Sequence, residues 1–252
     1  MLNNTMNTFK SISFIIPTYK QEKIILEDIK NLQESLNKLS TNYEIIVVAD
    51  GFFNSVSKIV KNIKDKRVKV VGYEKNQGKG FAVKFGMLLA SGDIVGFIDA
   101  GLDIDPDEIL SMIEIMQKEN ADIVIGSKLH PNSKVNYPIF RKILSGGYRF
   151  VTHSLFGFSV KDTQVGLKIF RKKVANDIFS RLTIKRFAFD VEVLAIANSL
   201  GYGKIYDAPI KVNFKHNTIN YLNSLKIVFW MLIDTMKIFY RFRISNAYGR
   251  LK

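Results

Sequence analysis

Five short apolar runs constrain this chain more than any other feature: Ser11 to Ile16, Glu44 to Ala49, Val68 to Gly72, Ile94 to Ile98 and Asp122 to Gly126. Each is too short for a helix that buries a full face, and several are almost continuously apolar, as Ile45 to Val48 is. After each of the first four comes a stretch that reads as helix: Gln21 to Leu39, Asn54 to Lys64, Gly80 to Ser91 and Pro106 to Glu119. In the first of these, Ile25, Ile29, Leu32, Leu36 and Leu39 recur at helical spacing. Strands alternating with helices of this length imply an α/β fold with a parallel sheet covered on both faces.

Beyond Gly126 the alternation breaks. Tyr137 to Phe158 is mixed basic and aromatic and reads as helix despite Gly146-Gly147. Val165 to Phe170 and Lys204 to Phe214 read as strands, Arg171 to Phe179 and Phe189 to Leu200 as helices. Tyr221 to Phe242 is an apolar helix carrying basic residues. Its longest uncharged run, Ile227 to Ile233, is far below the ~20 residues that span a bilayer. Trp230, Phe239, Tyr240, Lys226, Lys237, Arg241 and Arg243 suit a helix lying in the headgroup interface; the other reading is a terminal helix packed on the core. The expected division is a domain over 1–215 and an amphipathic, membrane-interfacial segment over 216–252.

The 252 residues carry a formal charge of +14 and no cysteine. A disulfide scaffold, a thiolate metal site and a cysteine nucleophile are thereby excluded. The charge favours anionic partners. No nucleic-acid-binding module is recognisable, and the basic residues after Lys204 accompany an apolar helix, so nucleic acid is not the expected partner. Met1 to Lys10 is polar, and no signal peptide is expected. The expected location is cytoplasmic, peripheral on the inner face of the membrane. None of His130, His153 and His216 pairs with another at ligand spacing, and no role is assigned to them.

The stretch Gly92 to Gly101 carries the chemistry. Its apolar strand ends in Asp99, and Asp103 follows before Pro106 opens a helix. Ligands of open α/β sheets bind at the carboxyl ends of strands. A carboxylate there can hold Mg²⁺ or Mn²⁺ bridging to phosphates, which points to a nucleotide-phosphate or sugar-nucleotide site. The alternative is that Asp99 and Asp103 only cap the next helix.

Four segments in order resemble glycosyltransferase family 2, and within it the polyprenyl-phosphate hexosyltransferases (dolichol-phosphate mannose synthases and dolichyl-phosphate glucosyltransferases). They are Ile16-Pro17-Thr18-Tyr19-Lys20-Gln21-Glu22, Val47-Val48-Ala49-Asp50-Gly51, Asn76-Gln77-Gly78-Lys79-Gly80-Phe81-Ala82-Val83, and Asp162-Thr163-Gln164-Val165-Gly166-Leu167-Lys168-Ile169-Phe170 followed by Phe187 to Glu192. The resemblance covers roughly 11–214 and implies a GT-A fold, with a Rossmann-like, mostly parallel sheet, that binds a nucleotide sugar. It implies that Pro17, Tyr19 and Glu22 line the nucleotide, that Asp50 recognises the base, and that Lys79 lies near the phosphates. Gly78-Lys79-Gly80 is not a P-loop: the spacing from Gly72 is wrong, and Gly80 stands where Ser or Thr belongs.

Two positions depart from the family pattern. Ala49 stands where the family has the first of two carboxylates, and Asp99-Ala100-Gly101 lacks the second Asp of Asp-X-Asp. The expectation is that Asp99 and Asp103 share a Mg²⁺ or Mn²⁺ ion with pyrophosphate oxygens. For the acceptor, the resemblance implies that Lys128 (in place of an Arg), Arg141 and Ser145 bind a lipid phosphate, with Arg141 and Ser145 four apart on one helical face. Asp162 and Gln164 fall where the family presents side chains to the sugar. The reaction implied is inverting transfer of a hexose from UDP-glucose or GDP-mannose to polyprenyl (dolichyl or undecaprenyl) phosphate at the membrane surface. Asp99, Asp162, Gln164 and Arg141 are its expected catalytic residues, and a membrane-protein partner is allowed for. Rival readings are transfer to a glycan or other lipid, and a non-catalytic protein that binds a nucleotide sugar.

Overall fold

The computed structural model describes residues 9–101, 103–136, 139–213 and 221–249. The first half follows the sequence pattern: β1 (Ser11–Thr18), α1 (Ile25–Leu36), β2 (Asn42–Asp50), α2 (Phe53–Val60), β3 (Val68–Tyr73), α3 (Lys79–Leu89), β4 (Ile94–Ile98), α4 (Glu108–Lys118) and β5 (Ile123–Ser127). Then come β6 (Lys134–Asn136), α5 (Ile139–Phe156), β7 (Leu167–Arg171), α6 (Lys172–Arg181), α7 (Phe189–Ser199), β8 (Ile205–Pro209), β9 (Lys211–Asn213) and α8 (Tyr221–Phe239), which runs into a π-helical turn at Tyr240–Ile244.

One seven-stranded sheet, ordered β3-β2-β1-β4-β7-β5-β8, carries the molecule, with β6 and β9 pairing as a separate small ribbon. The central strands are apolar throughout because both faces are covered. Alternation along β2 sorts the layers: Ile45, Val47 and Ala49 face α1, α2 and α4, whereas Ile46 and Val48 face α3, α6 and α7. At the edge opposite the site, Glu44 fastens three strands and a turn. It accepts from Ser13 Oγ (2.7 Å), Ser91 Oγ (2.6 Å), the Ser91 amide (2.8 Å) and Lys69 Nζ (2.7 Å).

The sheet is mostly parallel, as expected, with one strand reversed. β7 runs antiparallel between β4 and β5, pairing Ile98 with Leu167 and Ile125 with Lys168. Periodicity reports which residues are buried and is blind to strand direction. Lys168 is fully buried in this strand. Its ammonium donates to Val165 O (2.7 Å), pairs with Asp190 of α7 and lies 5.4 Å from the Phe97 ring centroid. Burial pushes the lysine down and Asp190 up, each toward its neutral form, against their mutual attraction.

The segment expected over Lys204 to Phe214 splits at Ile210 into β8 of the main sheet and β9 of the ribbon. α8 presents one face to the core: Met231 and Ile238 are buried, Tyr148 OH and Thr235 Oγ1 are 2.6 Å apart, and Phe156 packs on Phe239 and Phe242. Its other face leaves Leu225, Phe229, Leu232 and Met236 exposed at helical spacing. Beyond the π turn, Tyr248 is fixed by the fully buried Glu192 (2.8 Å), which also accepts from Thr183 and the Ile184 amide. No helix among the described residues is long and apolar enough to cross a membrane.

Candidate active site

The strand order reverses at β1, whose neighbours are β2 and β4. A crevice opens outside the carboxyl ends of strands at such a switch point. It is a cavity of about 470 Å³ walled by Pro17 and Thr18 of β1 and Tyr19 just after it, Asp50 from β2, Lys79 from α3 and Asp99 just after β4. Glu22, expected here, is not among its lining residues. Gln21 is, and its amide donates to Ala100 O (3.2 Å).

Asp99 faces Lys79, whose Nζ lies 2.8 Å from Oδ2 and 2.7 Å from Oδ1, the latter at an angle too sharp for a hydrogen bond. Burial would lower the Lys79 ammonium, but the charges of Asp99 and Asp190 outweigh it and raise its pKa. Gly166 makes room for the carboxylate: a Cβ there would lie 1.9 Å from Asp99 Oδ2. The next residues are held from α1, where Asp28 accepts the Gly101 amide (3.1 Å). Gly101 itself has φ +124°, a conformation that side-chain-bearing residues rarely adopt. The missing second Asp is thus accompanied by a backbone suited to glycine.

Asp50, expected to recognise the base, is buried and has a structural task. It accepts Asn76 Nδ2 (2.8 Å) and the amides of Gln77 (2.7 Å) and Gly78 (3.0 Å), which pins the turn that opens α3. Gly78 and Gly80 serve close packing. A Cβ on Gly78 would meet Lys185 O at 2.4 Å, and one on Gly80 would meet Ile184 O at 2.6 Å. The 184–187 segment therefore lies against this turn, and its Arg186 and Phe187 complete the cavity wall. Sequence reasoning gave these two no role; only the paired glycines hinted that another segment comes close.

A second cavity, of about 540 Å³, lies at the end of β5. Lys128 and Ser145, expected at the acceptor, and Asp162 and Gln164, expected to face the sugar, line it together. Asp162 accepts the Lys128 amide (3.1 Å), and its Oδ2 is 3.1 Å from Lys128 Nζ. Lys142 and Arg149, about two turns apart on α5, add two cations that sequence reasoning missed. The backbone of Arg141 belongs to α5, but its side chain lies outside the described residues. Because β7 is antiparallel, its leading loop, 162–166, arrives at the carboxyl ends of β4 and β5, with Asp162, Thr163 and Gln164 lining the second cavity and Gly166 packed against Asp99 of the first.

Asp103 lines neither cavity, and its carbonyl accepts the Asn213 amide (2.8 Å). No three metal-type side chains cluster among the described residues. Magnesium commonly takes one or two carboxylates and fills the rest with phosphates and water. Asp99, with an oxygen lacking any aligned donor, fits a cation that arrives with a diphosphate and not a preformed cage.

The family model for "Glycosyl transferase family 2" matches residues 13–179. The chain belongs to glycosyltransferase family 2. This glycosyltransferase is 31% identical over 249 residues to the dolichyl-phosphate beta-glucosyltransferase of Dictyostelium discoideum, covering 93% of the chain and 75% of that protein. It is equally 31% identical to the human protein of the same name, over 96% of the chain and 78% of the relative. A UDP-N-acetylglucosamine–dolichyl-phosphate N-acetylglucosaminyltransferase from Methanococcus voltae is 30% identical, with 92% and 94% covered. Among solved structures, glucosyl-3-phosphoglycerate synthase of Mycobacterium tuberculosis, in complex with Mn²⁺, UDP and phosphoglyceric acid, superimposes with a TM-score of 0.70 at 17% identity, over 91% of this chain and 78% of that one. Mannosyl-3-phosphoglycerate synthase of Rubrobacter xylanophilus gives 0.69 at 13%, over 96% and 77%. At these identities the likeness concerns the fold, which is the GT-A arrangement expected from the sequence.

Proposed function

We propose that this glycosyltransferase moves a hexose from a nucleotide sugar to a polyprenyl phosphate, with inversion at the anomeric carbon. The observation that carries the reading is a pair of cavities at the strand ends, one holding Lys79 and Asp99, the other lined by Lys128, Lys142 and Arg149, with the 162–166 loop lining the second and meeting Asp99 at Gly166. The relatives named for dolichyl-phosphate transfer support the acceptor class. Glucose fits the larger number of those names, and N-acetylglucosamine fits the archaeal one.

In this reading the nucleoside diphosphate lies in the first cavity, with Tyr19 and Phe52, 6.1 Å apart at its mouth, flanking the base. An oxygen of the acceptor phosphate attacks the anomeric carbon as the bond to the diphosphate breaks, and the diphosphate leaves with the electron pair. A phosphate monoester is already ionised near neutral pH, so positioning and electrostatics supply most of the catalysis. Lys79 balances charge on the leaving diphosphate. Lys128, Lys142 and Arg149, with Arg141 and Ser145, hold the acceptor, and Asp162 fixes Lys128. Gln164 faces the sugar from the joining loop. Asp99, together with diphosphate oxygens and without Asp103, which lines neither cavity, would hold Mg²⁺ or Mn²⁺, which when bound supplies Lewis-acid stabilisation of the diphosphate. The outer face of α8 rests on the membrane, making the protein peripheral there, and 216–252 is the interfacial segment of the 1–215 domain.

The test is transfer of label from UDP-glucose, UDP-N-acetylglucosamine or GDP-mannose into the organic phase, with polyprenyl phosphate and Mg²⁺ or Mn²⁺. Lipid-linked label that EDTA removes is the expected result. Absence of lipid-linked label from all three donors, with nucleotide still bound, overturns the reading.

A further inference from the structure

A third cavity, about 930 Å³, lies between α8 and the 183–187 segment and shares only Arg186 of its lining with the first. Lys185, Arg186, Lys237 and Arg241 line it. The anions that face them are Asp234, buried at its floor, and the fully buried Glu192 behind Arg241. Asp234 pairs with Arg186 and Lys237 at 3.1 Å each, and Arg241 lies 3.8 Å from Glu192 and donates to Thr183. Four cations against two carboxylates leave a net positive groove, and Lys185 at its rim has no carboxylate partner among these contacts.

The groove runs beside the exposed apolar stripe of α8. Lining residues Ile233, Lys237 and Arg241 each follow a residue of the neighbouring row Leu232, Met236 and Tyr240, which is exposed. One residue is about 100° of helix rotation, so the apolar row and the cationic row lie side by side along one helix. Trp230, under the Arg186 guanidinium at 4.5 Å, joins the two. A bilayer that takes the apolar row among its acyl chains brings its phosphates level with the groove.

We propose that this groove binds the phosphate headgroup of an anionic phospholipid, as a site separate from that of the reacting lipid phosphate. The inference rests on the reading that α8 lies on the membrane and adds to it a defined headgroup site. Its other wall matters as well. Lys185 O accepts the Phe81 amide (3.1 Å), and Arg186 lines the nucleotide cavity, so a headgroup sits on the segment that closes the donor site.

The full chain is floated with vesicles of phosphatidylcholine alone or with 30% phosphatidylglycerol. A cation near an anionic surface contributes enough for roughly 5-fold in partition. K185Q, at an exposed position, is expected to weaken partition to the anionic vesicles about 5-fold, and K185Q/K237Q about 25-fold, with binding to neutral vesicles unchanged. K58Q/K61Q removes the same charge from exposed positions in and just after α2 and is expected to change little. Equal loss in both double variants, pointing to the protein's diffuse field, overturns the proposal, as does no loss in K185Q. Inorganic phosphate binding that K185Q/K237Q abolishes, with equal partition to neutral and anionic vesicles, also overturns it, because the groove then serves a soluble anion. Transfer to a short polyprenyl phosphate in detergent, without vesicles, tests the enzymatic reading separately: activity there with no anionic preference rejects the groove alone.

Discussion

Lys79 and Asp99 meet across the floor of the nucleotide cavity, with the ammonium within 2.8 Å of both carboxylate oxygens. A divalent cation and this lysine seek the same oxygens. K79Q is therefore expected to bind Mn²⁺ more tightly, read directly as the loss of the free-ion electron paramagnetic resonance signal. The same change removes a charge from the leaving diphosphate and should lower kcat about 100-fold, the scale for losing one transition-state donor. Weaker Mn²⁺ binding by K79Q would reject the competition.

Restoring the family's second carboxylate should not help. G101D places a side chain at φ +124°, where strain of about 1–3 kcal/mol is expected. Urea denaturation should show that loss, and the Mn²⁺ requirement should not fall.

At the acceptor cavity, K128A removes an ammonium held 3.1 Å from Asp162. The KM for polyprenyl phosphate should rise roughly 10-fold or more, as for a lost charged hydrogen bond. The KM for the donor should stay, since Lys128 does not line the donor cavity. A rise in both would place Lys128 elsewhere in the mechanism.

The buried pair behind the site is a stability element. K168M strands Asp190 without its partner and should cost about 3–5 kcal/mol in chemical denaturation. K168M/D190L, which removes both charges, should recover at least half of that loss. Additive losses would mean that the two do not act as a pair.

Acid should weaken the opposite end of the sheet. Burial would raise Glu44, but hydrogen bonds from Lys69, Ser91 and Ser13 outweigh it and hold its pKa at about 2. The folded pKa lies below the unfolded one, so the stabilisation is complete above the unfolded value and is lost as pH falls toward 2. Part of that contribution is screened by solvent, leaving about 1–2 kcal/mol. E44Q should be less stable than the wild type at pH 7, and the gap should narrow between about pH 5 and 2.

The parts of this architecture legible in the sequence are those written locally. A buried strand and the carboxylate at its end lie within a few residues, so Asp50 and Asp99 could be placed from the chain alone. The acceptor and sugar residues came from ordered motifs, and Lys128, Ser145, Asp162 and Gln164 do share a cavity. What escaped depends on contacts across the fold. Arg186 and Phe187 reach the nucleotide cavity only because Gly78 and Gly80 let their segment in. Asp28 supports Gly101 from 73 residues away. Helix α1 begins at Ile25 and not Gln21 because Gln21 is spent on the loop after β4, its carbonyl accepting the Ile24 and Ile25 amides while its side chain binds Ala100. The ribbon of β6 and β9 has only three residues in each strand, too few for an alternating pattern to register.

The antiparallel entry of β7 also sets an order of assembly. Strands β1 to β4 pair with one another and form a sheet from residues 11–98 alone. β5 has no partner in that sheet until β7 slides in beside β4, more than forty residues after β5 ends. Bringing such distant segments together carries a loop-closure cost that local pairing avoids. As the chain leaves the ribosome, the half that carries Asp50, Lys79 and Asp99 can begin to form early, and the half that carries Lys128 waits for Arg171.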